Sequence, residues 1–320
     1  MSTARQAARQ GFRRFIGVDL GGGRGKNTAV ARLELSIGPS GRPRLGVAEA
    51  KVRHGQRGTG LVVDEPGGDA LFRDEVLVAY LERWVDDHTV VAIDAPLTLP
   101  PCIRCSLPCP TVARCTVPVV AWMRRWAPRL QPRGRSDPGK PAVTPYTQRA
   151  AEILQQAVGI HPRETLGQGT GPLAARAAYL RRVLSPRLRL HENLIEVHPR
   201  ATIEQVFGAA VARRARHGDD DRVWATRKRV LAGLVEGIAF DYVWPELVVR
   251  NTHMFHAVLA AFTAFLWARE GLRGPTDLLG AVGRATVPEA LPLAIEELGA
   301  QWLEDGWVFV PPSRLRVRSE

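Results

Sequence analysis

Three carboxylates stand at or near the ends of apolar runs in this 320-residue chain. Asp19 follows Phe15-Ile16-Gly17-Val18, Asp94 follows Thr89-Val90-Val91-Ala92-Ile93, and Glu196 lies within His191-Glu192-Asn193-Leu194-Ile195-Glu196-Val197-His198-Pro199. Acids at strand ends that share one sheet edge come within a few ångströms and repel unless cations neutralise them. Mg²⁺ or Mn²⁺ is the expected completion. Two such ions about 4 Å apart can activate a water and stabilise the leaving oxygen of a phosphodiester. Taken singly, each acid is more often a turn residue than a ligand.

Two further stretches could do chemistry. Gly21-Gly22-Gly23 follows Asp19, with Lys26 close by, and glycines there would let a phosphate approach the backbone. Cys102, Cys105, Cys109 and Cys115 are separated by two, three and five residues. Four thiols so close can enclose one tetrahedral Zn²⁺. An iron–sulfur cluster fits the spacing less well, and unligated thiols are the third reading. Arg104, Arg114, Arg124, Arg125, Arg129, Arg133 and Arg135 flank these cysteines. Trp122 and Trp126 are four apart, which suits either a helix's packing face or a pair of stacking faces for bases.

The surrounding patterns predict the elements that position these residues. Strands are expected over 15–19, 28–35 and 44–54, the third antiparallel, followed by a Gly-rich connection over 55–68. Asp69 suits an N-cap for a helix over 70–86, ahead of a fourth strand ending at Asp94. Residues 97–145, dense in Pro, Cys and Arg, read as an insertion or small subdomain on the active face. Helices are expected over 144–158, 172–184, 252–269 and 289–304, with a short edge strand at 306–312. The 252–269 helix is apolar almost all round and belongs inside, against the sheet. The basic segment 211–230 reads as a solvated helix pair.

Three strands, a helix and a fourth strand are the order of the ribonuclease-H-like fold, an α/β mixed sheet flanked by helices. One such domain is expected over 15–312, between a basic tail at 1–14 and a tail at 313–320. At 45% hydrophobic the chain can bury a sizeable core. Its formal charge of +12 suits an anionic partner such as RNA or DNA, although a GC-rich genome gives Arg-heavy proteins without selection for binding. Only Lys26, Lys51, Lys140 and Lys228 among the 44 basic residues are lysines, and Arg suits bidentate phosphate contacts. No secretory h-region and no apolar run of membrane-spanning length is present. A cytoplasmic protein without a membrane association is expected.

Val91-Ala92-Ile93-Asp94-Ala95-Pro96-Leu97-Thr98-Leu99-Pro100, Tyr146-Thr147-Gln148-Arg149-Ala150-Ala151-Glu152 and Leu194-Ile195-Glu196-Val197-His198-Pro199 occur in that order. With Ile16-Gly17-Val18-Asp19-Leu20 before them and a late apolar helix after, they resemble the DUF429 family of predicted ribonuclease-H-like nucleases. The resemblance covers residues 13 to 312. It implies that Asp19, Asp94 and Glu196 are acidic site residues, with Arg149 and Glu152 nearby on a helix. The family usually opens its late helix with an Asp before an Ala. Here that position is His256-Ala257, preceded by Asn251 and His253. His can ligate a divalent metal or move a proton, so His256 is the candidate in place of a fourth acid; a satisfied core His is the alternative.

Three functions follow. The first is a metal-dependent nuclease in which Asp19, Asp94 and Glu196 hold Mg²⁺ or Mn²⁺, His256 completes or tunes the site and Arg149 contacts the scissile phosphate. The second is an ATP phosphotransferase of the actin-like and sugar-kinase group, resting on the glycines after Asp19. The third is a nucleic-acid-binding protein of weak catalytic power that uses a zinc knob and the Arg surface.

Overall fold

Apolar runs rich in Val, Ile and Ala form the strands, and short polar or glycine-bearing stretches separate them. In the computed structural model, residues 11–22, 27–38, 41, 43–52, 74–130, 141–234, 238–240, 243–280 and 287–311 are described. The strands are β1 (Arg14–Asp19), β2 (Ala29–Ile37), β3 (Pro43–Val52), β4 (Thr89–Ile93), β5 (Leu194–Val197), β6 (Ile238–Ala239) and β7 (Val308–Phe309). They form one seven-stranded sheet in the order β6-β3-β2-β1-β4-β5-β7. β1, β2 and β3 pair antiparallel, whereas β4, β5 and β7 continue from β1 in parallel.

The main helices are α1 (Asp74–Trp84), α2 (Pro118–Leu130), α3 (Ala150–Ala157), α4 (Gly171–Val183), α5 (Pro199–Phe207), α6 (Asp220–Leu234), α7 (Thr252–Arg269) and α8 (Leu291–Leu298). α7 lies across β1, β2, β3 and β4. Thirteen of its residues are buried, among them Phe255, Phe262 and Trp267. Each large apolar side chain removed from water in this way contributes about 1.5–3 kcal/mol. On the other face, α1 and α4 cover Ile16, Val18, Val91 and Ile93 with Leu77, Leu81, Ala177 and Leu180.

Several boundaries differ from the sequence pattern. Residues 69–73, including the expected N-cap, lie outside the described residues, as do 1–10, 23–26, 53–68, 131–140 and 312–320, whereas the end of the expected N-terminal tail is structured, with Phe12 buried and Arg14 opening β1. The helix expected from 144 starts only at Ala150. Thr147 and Gln148 donate their amides to the Thr144 carbonyl at 2.8 Å, closing one turn, and extended Arg149 (φ −115°, ψ 169°) then interrupts the spiral.

The stretch 97–145 does not stand apart throughout. α2 places Val120, Trp122, Met123 and Ala127 in the same core as α7. Neither tryptophan offers a stacking face. Trp122 is 1% exposed with its indole N–H donating to the Ala294 carbonyl at 2.8 Å, and Trp126 donates to Glu297 Oε2 at 3.0 Å. Spacing by four puts both on the apolar side of an amphipathic helix. The basic segment forms α6 and the short helix Ala209–Arg214. Arg227 leaves its solvated face and is buried, its guanidinium donating to the carbonyls of Ala215 and Val249 and to Thr252 Oγ1.

Candidate functional site

Strand register decides which acids meet. β1 and β4 run parallel with Val18 opposite Ile93, so Asp19 and Asp94 are level, one step beyond. In parallel strands level residues face the same way, and successive residues alternate faces. Phe15, Val90 and Ala92 point into the α7 side, and Asp19 and Asp94 continue that alternation at the sheet edge. Ile93 is opposite Glu196. Glu196 is therefore level with Val18 and Ile93, whose side chains face α1 and α4. A one-residue offset puts it on the other face.

α7 brings the histidines to the two aspartates. It can approach because Gly17 has no side chain: a Cβ there would lie 2.0 Å from the Ala257 carbonyl oxygen and 2.4 Å from the Ala261 nitrogen. Asn251 caps the helix, its side chain accepting from the amides of His253 and Met254 at 3.0 Å each. Arg227 ties α6 to the same helix start through Val249 and Thr252. His253 and His256, three apart, then share one side of the first turns.

The result is a cluster of two carboxylates and three imidazoles. Asp19, Asp94 and His256 each offer a ligand atom, all within 4.8 Å of one another, and no other such group of three exists among the described residues. His253 Nδ1 lies 2.8 Å from Asp19 Oδ2, and His256 Nδ1 is 3.8 Å from the same oxygen. On the far side, His198 Nδ1 lies 3.6 Å from Asp94 Oδ1. Among the described residues, neither aspartate has a Lys or Arg within ion-pair distance. The hydrogen bond to Asp19 raises the His253 pKa above its usual value, against the opposing effect of burial. Desolvation lowers that of His256, and the charges on Asp19 and Asp94 only partly offset it. The lowered pKa favours the neutral imidazole, the form that can ligate a metal.

Glu196 has different company. Arg149 Nη1 and Nη2 donate to its two oxygens at 2.8 and 2.7 Å, and the Leu97 amide donates at 2.9 Å. Arg149 also binds Glu152 Oε1 through Nε at 3.0 Å and Nη2 at 2.7 Å, while the Glu152 carboxylate reaches back to the Arg149 amide. Thr98 and Thr165 supply further hydroxyl contacts. Burial alone would depress the Arg149 pKa; the charges of Glu152 and Glu196 outweigh it and hold the guanidinium well above its usual value. Arg149 is 1% exposed and has no face turned to a scissile phosphate. Gly306 (φ +97°) closes over the network, since a Cβ there would lie 2.1 Å from Thr98 Oγ1 and 2.8 Å from Arg149 Nη1. Asp305, 1% exposed, pairs with Arg104 at 2.6 Å and accepts from the Ala150 amide at 2.7 Å.

The cysteines are neighbours without being assembled. Burial raises the Cys102 pKa, and the adjacent Cys115, Cys109 and Cys105 raise it further. No three of their sulfurs lie within 4.8 Å of one another. Cys115 is buried and Cys109 exposed.

The family described as a protein of unknown function (DUF429) matches residues 46–277. The chain belongs to DUF429. The matched residues include Asp94, Arg149, Glu152, Glu196, His198, His253 and His256, and Asp19 precedes them. No curated protein and no solved structure matches the chain. In this DUF429 protein the sequence patterns under-weighted His198 and His253. Val-His-Pro two residues past Glu196, and an imidazole three before His256, are the signals that mark them. Asp305 had no signal, because its partner Arg104 is 201 residues away. No described helix is long and apolar enough to cross a membrane.

Proposed function

We propose that this protein is a metal-dependent nuclease of ribonuclease-H-like type, hydrolysing phosphodiester bonds of RNA or DNA at the Asp19–Asp94–His256 cluster. One observation carries the reading: two acids with no Lys or Arg partner among the described residues, and an imidazole, converge within 4.8 Å. Uncompensated carboxylates at that separation favour a divalent cation. The donor set fits one, and its nitrogen favours Mn²⁺ over Mg²⁺, which prefers all-oxygen surroundings. A divalent ion held there supplies a lowered water pKa and stabilises negative charge on phosphate oxygens.

The protein's own groups have separable tasks. Asp19 and Asp94 are the anionic ligands, and His256 is the neutral one. His253 orients Asp19 through the 2.8 Å contact. His198, beside Asp94, is placed to accept or return a proton at its imidazole. Glu196 and Arg149, engaged with one another, fix the loop after β4 from below through the Leu97 amide and Thr98. The basic surface supplies attraction to a polyanion. The expected Zn²⁺ at Cys102, Cys105, Cys109 and Cys115 would require the sulfurs to draw together.

The test is cleavage of labelled single-stranded, duplex and branched RNA and DNA with Mn²⁺, Mg²⁺ or chelator. Cutting that needs Mn²⁺ and is lost in Asp94→Asn supports the proposal. Salt-sensitive binding with no metal-dependent cutting on any substrate would replace it with the binding-protein reading.

A further inference from the structure

A recess of about 560 Å³ lies behind the loop that carries Asp94, lined by Arg104, Arg181, Arg189, Ser185 and Glu304 among others. The three arginines come from the short helix Pro101–Arg104, the end of α4 and the segment leading to β5. Their charges are compensated unequally. Arg104 pairs with Asp305 at 2.6 Å and donates to the Leu99 carbonyl at 2.8 Å. Among the described residues Arg189 has only the exposed pair with Glu192 at 3.1 Å, an interaction of small worth in water. Arg181 donates to the Leu97 carbonyl at 3.1 Å and has no ion pair among the described residues.

Arg181 is exposed and lines the recess together with Arg104, Ser185 and Arg189. Its surroundings there, and then the charge on Arg104, pull its guanidinium below the usual range. A guanidinium carries five N–H donors, and among the described residues one of them is used. An exposed cation beside a second cation, with no carboxylate partner among the described residues, leaves donors that an anion can take from water. Guanidinium forks match the oxygens of a phosphate group, and the Ser185 hydroxyl adds a neutral donor.

We infer that Arg181, with Arg104, Arg189 and Ser185, forms a binding site for a phosphate group. The recess itself stands on these contacts alone; only the assignment of that phosphate to a nucleic-acid backbone rests on the nuclease reading. Leu97, three residues past Asp94, ties the recess to the Arg149 brace, its carbonyl facing Arg181 and its amide bound to Glu196. A strand crossing the Asp94 loop would be held here at a phosphate other than the one being cut.

The experiment uses the full chain in chelator, so that no metal-held phosphate contributes. Inorganic phosphate and a short single-stranded oligonucleotide are titrated by calorimetry into the native protein and into Arg181→Met, Arg189→Gln and Arg222→Gln. Arg222 is an exposed arginine outside the recess and controls for net charge. Saturable phosphate binding, weakened about tenfold to a hundredfold in Arg181→Met and unchanged in Arg222→Gln, is the expected result, the loss of a charged hydrogen-bond partner. If Arg181→Met loses its cooperative melting transition, Arg189→Gln and Arg181→Lys give the same reading with less disturbance. Oligonucleotide affinity that falls with the same variants identifies a nucleic-acid phosphate; unchanged oligonucleotide affinity identifies a small phosphate compound. Absence of saturable phosphate binding, or equal weakening in Arg222→Gln, overturns the site. Phosphate binding that persists in a protein that cuts nothing overturns the nuclease reading alone.

Discussion

Two groups of acids sit at one edge of the same sheet, and they have opposite electrostatic solutions. Glu152 and Glu196 share Arg149, with the guanidinium donating to both and every partner buried. Asp19 and Asp94 have only histidines as ion-pair partners among the described residues. The first group is complete as it stands. The second has no guanidinium among the described residues and keeps partial access to solvent, with Asp94 and His256 side chains 22% and 28% exposed. Burial with a matched charge makes a brace; burial without one makes a place for a ligand.

Breaking the brace should have the largest effect. Arg149→Met leaves two buried carboxylates without a counter-charge and is expected to cost about 3–5 kcal/mol, the range for removing one partner of a buried pair. Urea unfolding checks it, and an unchanged midpoint would show that the network contributes nothing.

The open cluster should behave in the opposite way. Asp94→Asn is expected to lower Mn²⁺-dependent cleavage about a thousandfold, a barrier increase of about 4 kcal/mol, and to leave urea unfolding of the metal-free protein unchanged or slightly later. Single-turnover assays and unfolding curves on one preparation test both halves. Full activity in Asp94→Asn would falsify its placement in the mechanism.

The nitrogen in the donor set can be exchanged for oxygen. His256→Asp should shift the metal preference toward Mg²⁺ by about tenfold, since a third carboxylate makes the set all-oxygen. Competition titrations of Mn²⁺ against Mg²⁺ measure this, and an unaltered ratio would remove His256 from the ligands.

The smallest expected effect is a pH dependence. The folded pKa of His253 lies above its ordinary value of 6.5 because protonation strengthens its contact with Asp19. The stabilisation is therefore fully present below 6.5 and is lost as pH rises through the raised folded value. His253→Asn in chelator should melt below the native protein at acid pH, with the difference closing on the alkaline side. The side chain is 40% exposed, so solvent screening keeps the effect small. A difference that grows with pH would contradict the assignment.

Much of this protein was legible in the residues themselves. The 252–269 helix is found at Thr252–Arg269, because a segment apolar on all sides can only be buried, and Asn251 supplies its start. The strand-end positions of Asp19, Asp94 and Glu196 follow from apolar runs that polar or proline-bearing stretches interrupt. The pairing of acids was not legible. Asp19, Asp94 and Glu196 look alike in sequence, and a register offset of one residue sends Glu196 to the other face, where Arg149 takes it. Arg149 looked like a phosphate ligand because an arginine's charge is visible in sequence and its partners are not.

Local sequence thus determined the strands, the late helix and the supply of acids, imidazoles and arginines, since periodicity and capping act within a few residues. Tertiary structure alone decided which charges cancel. Gly17 lets α7 descend on β1 and set its histidines over Asp19, and Gly306 lets the chain close over Arg149. Hydrogen bonds between residues 47 to 234 positions apart turn similar carboxylates into a brace on one side and a ligand set on the other.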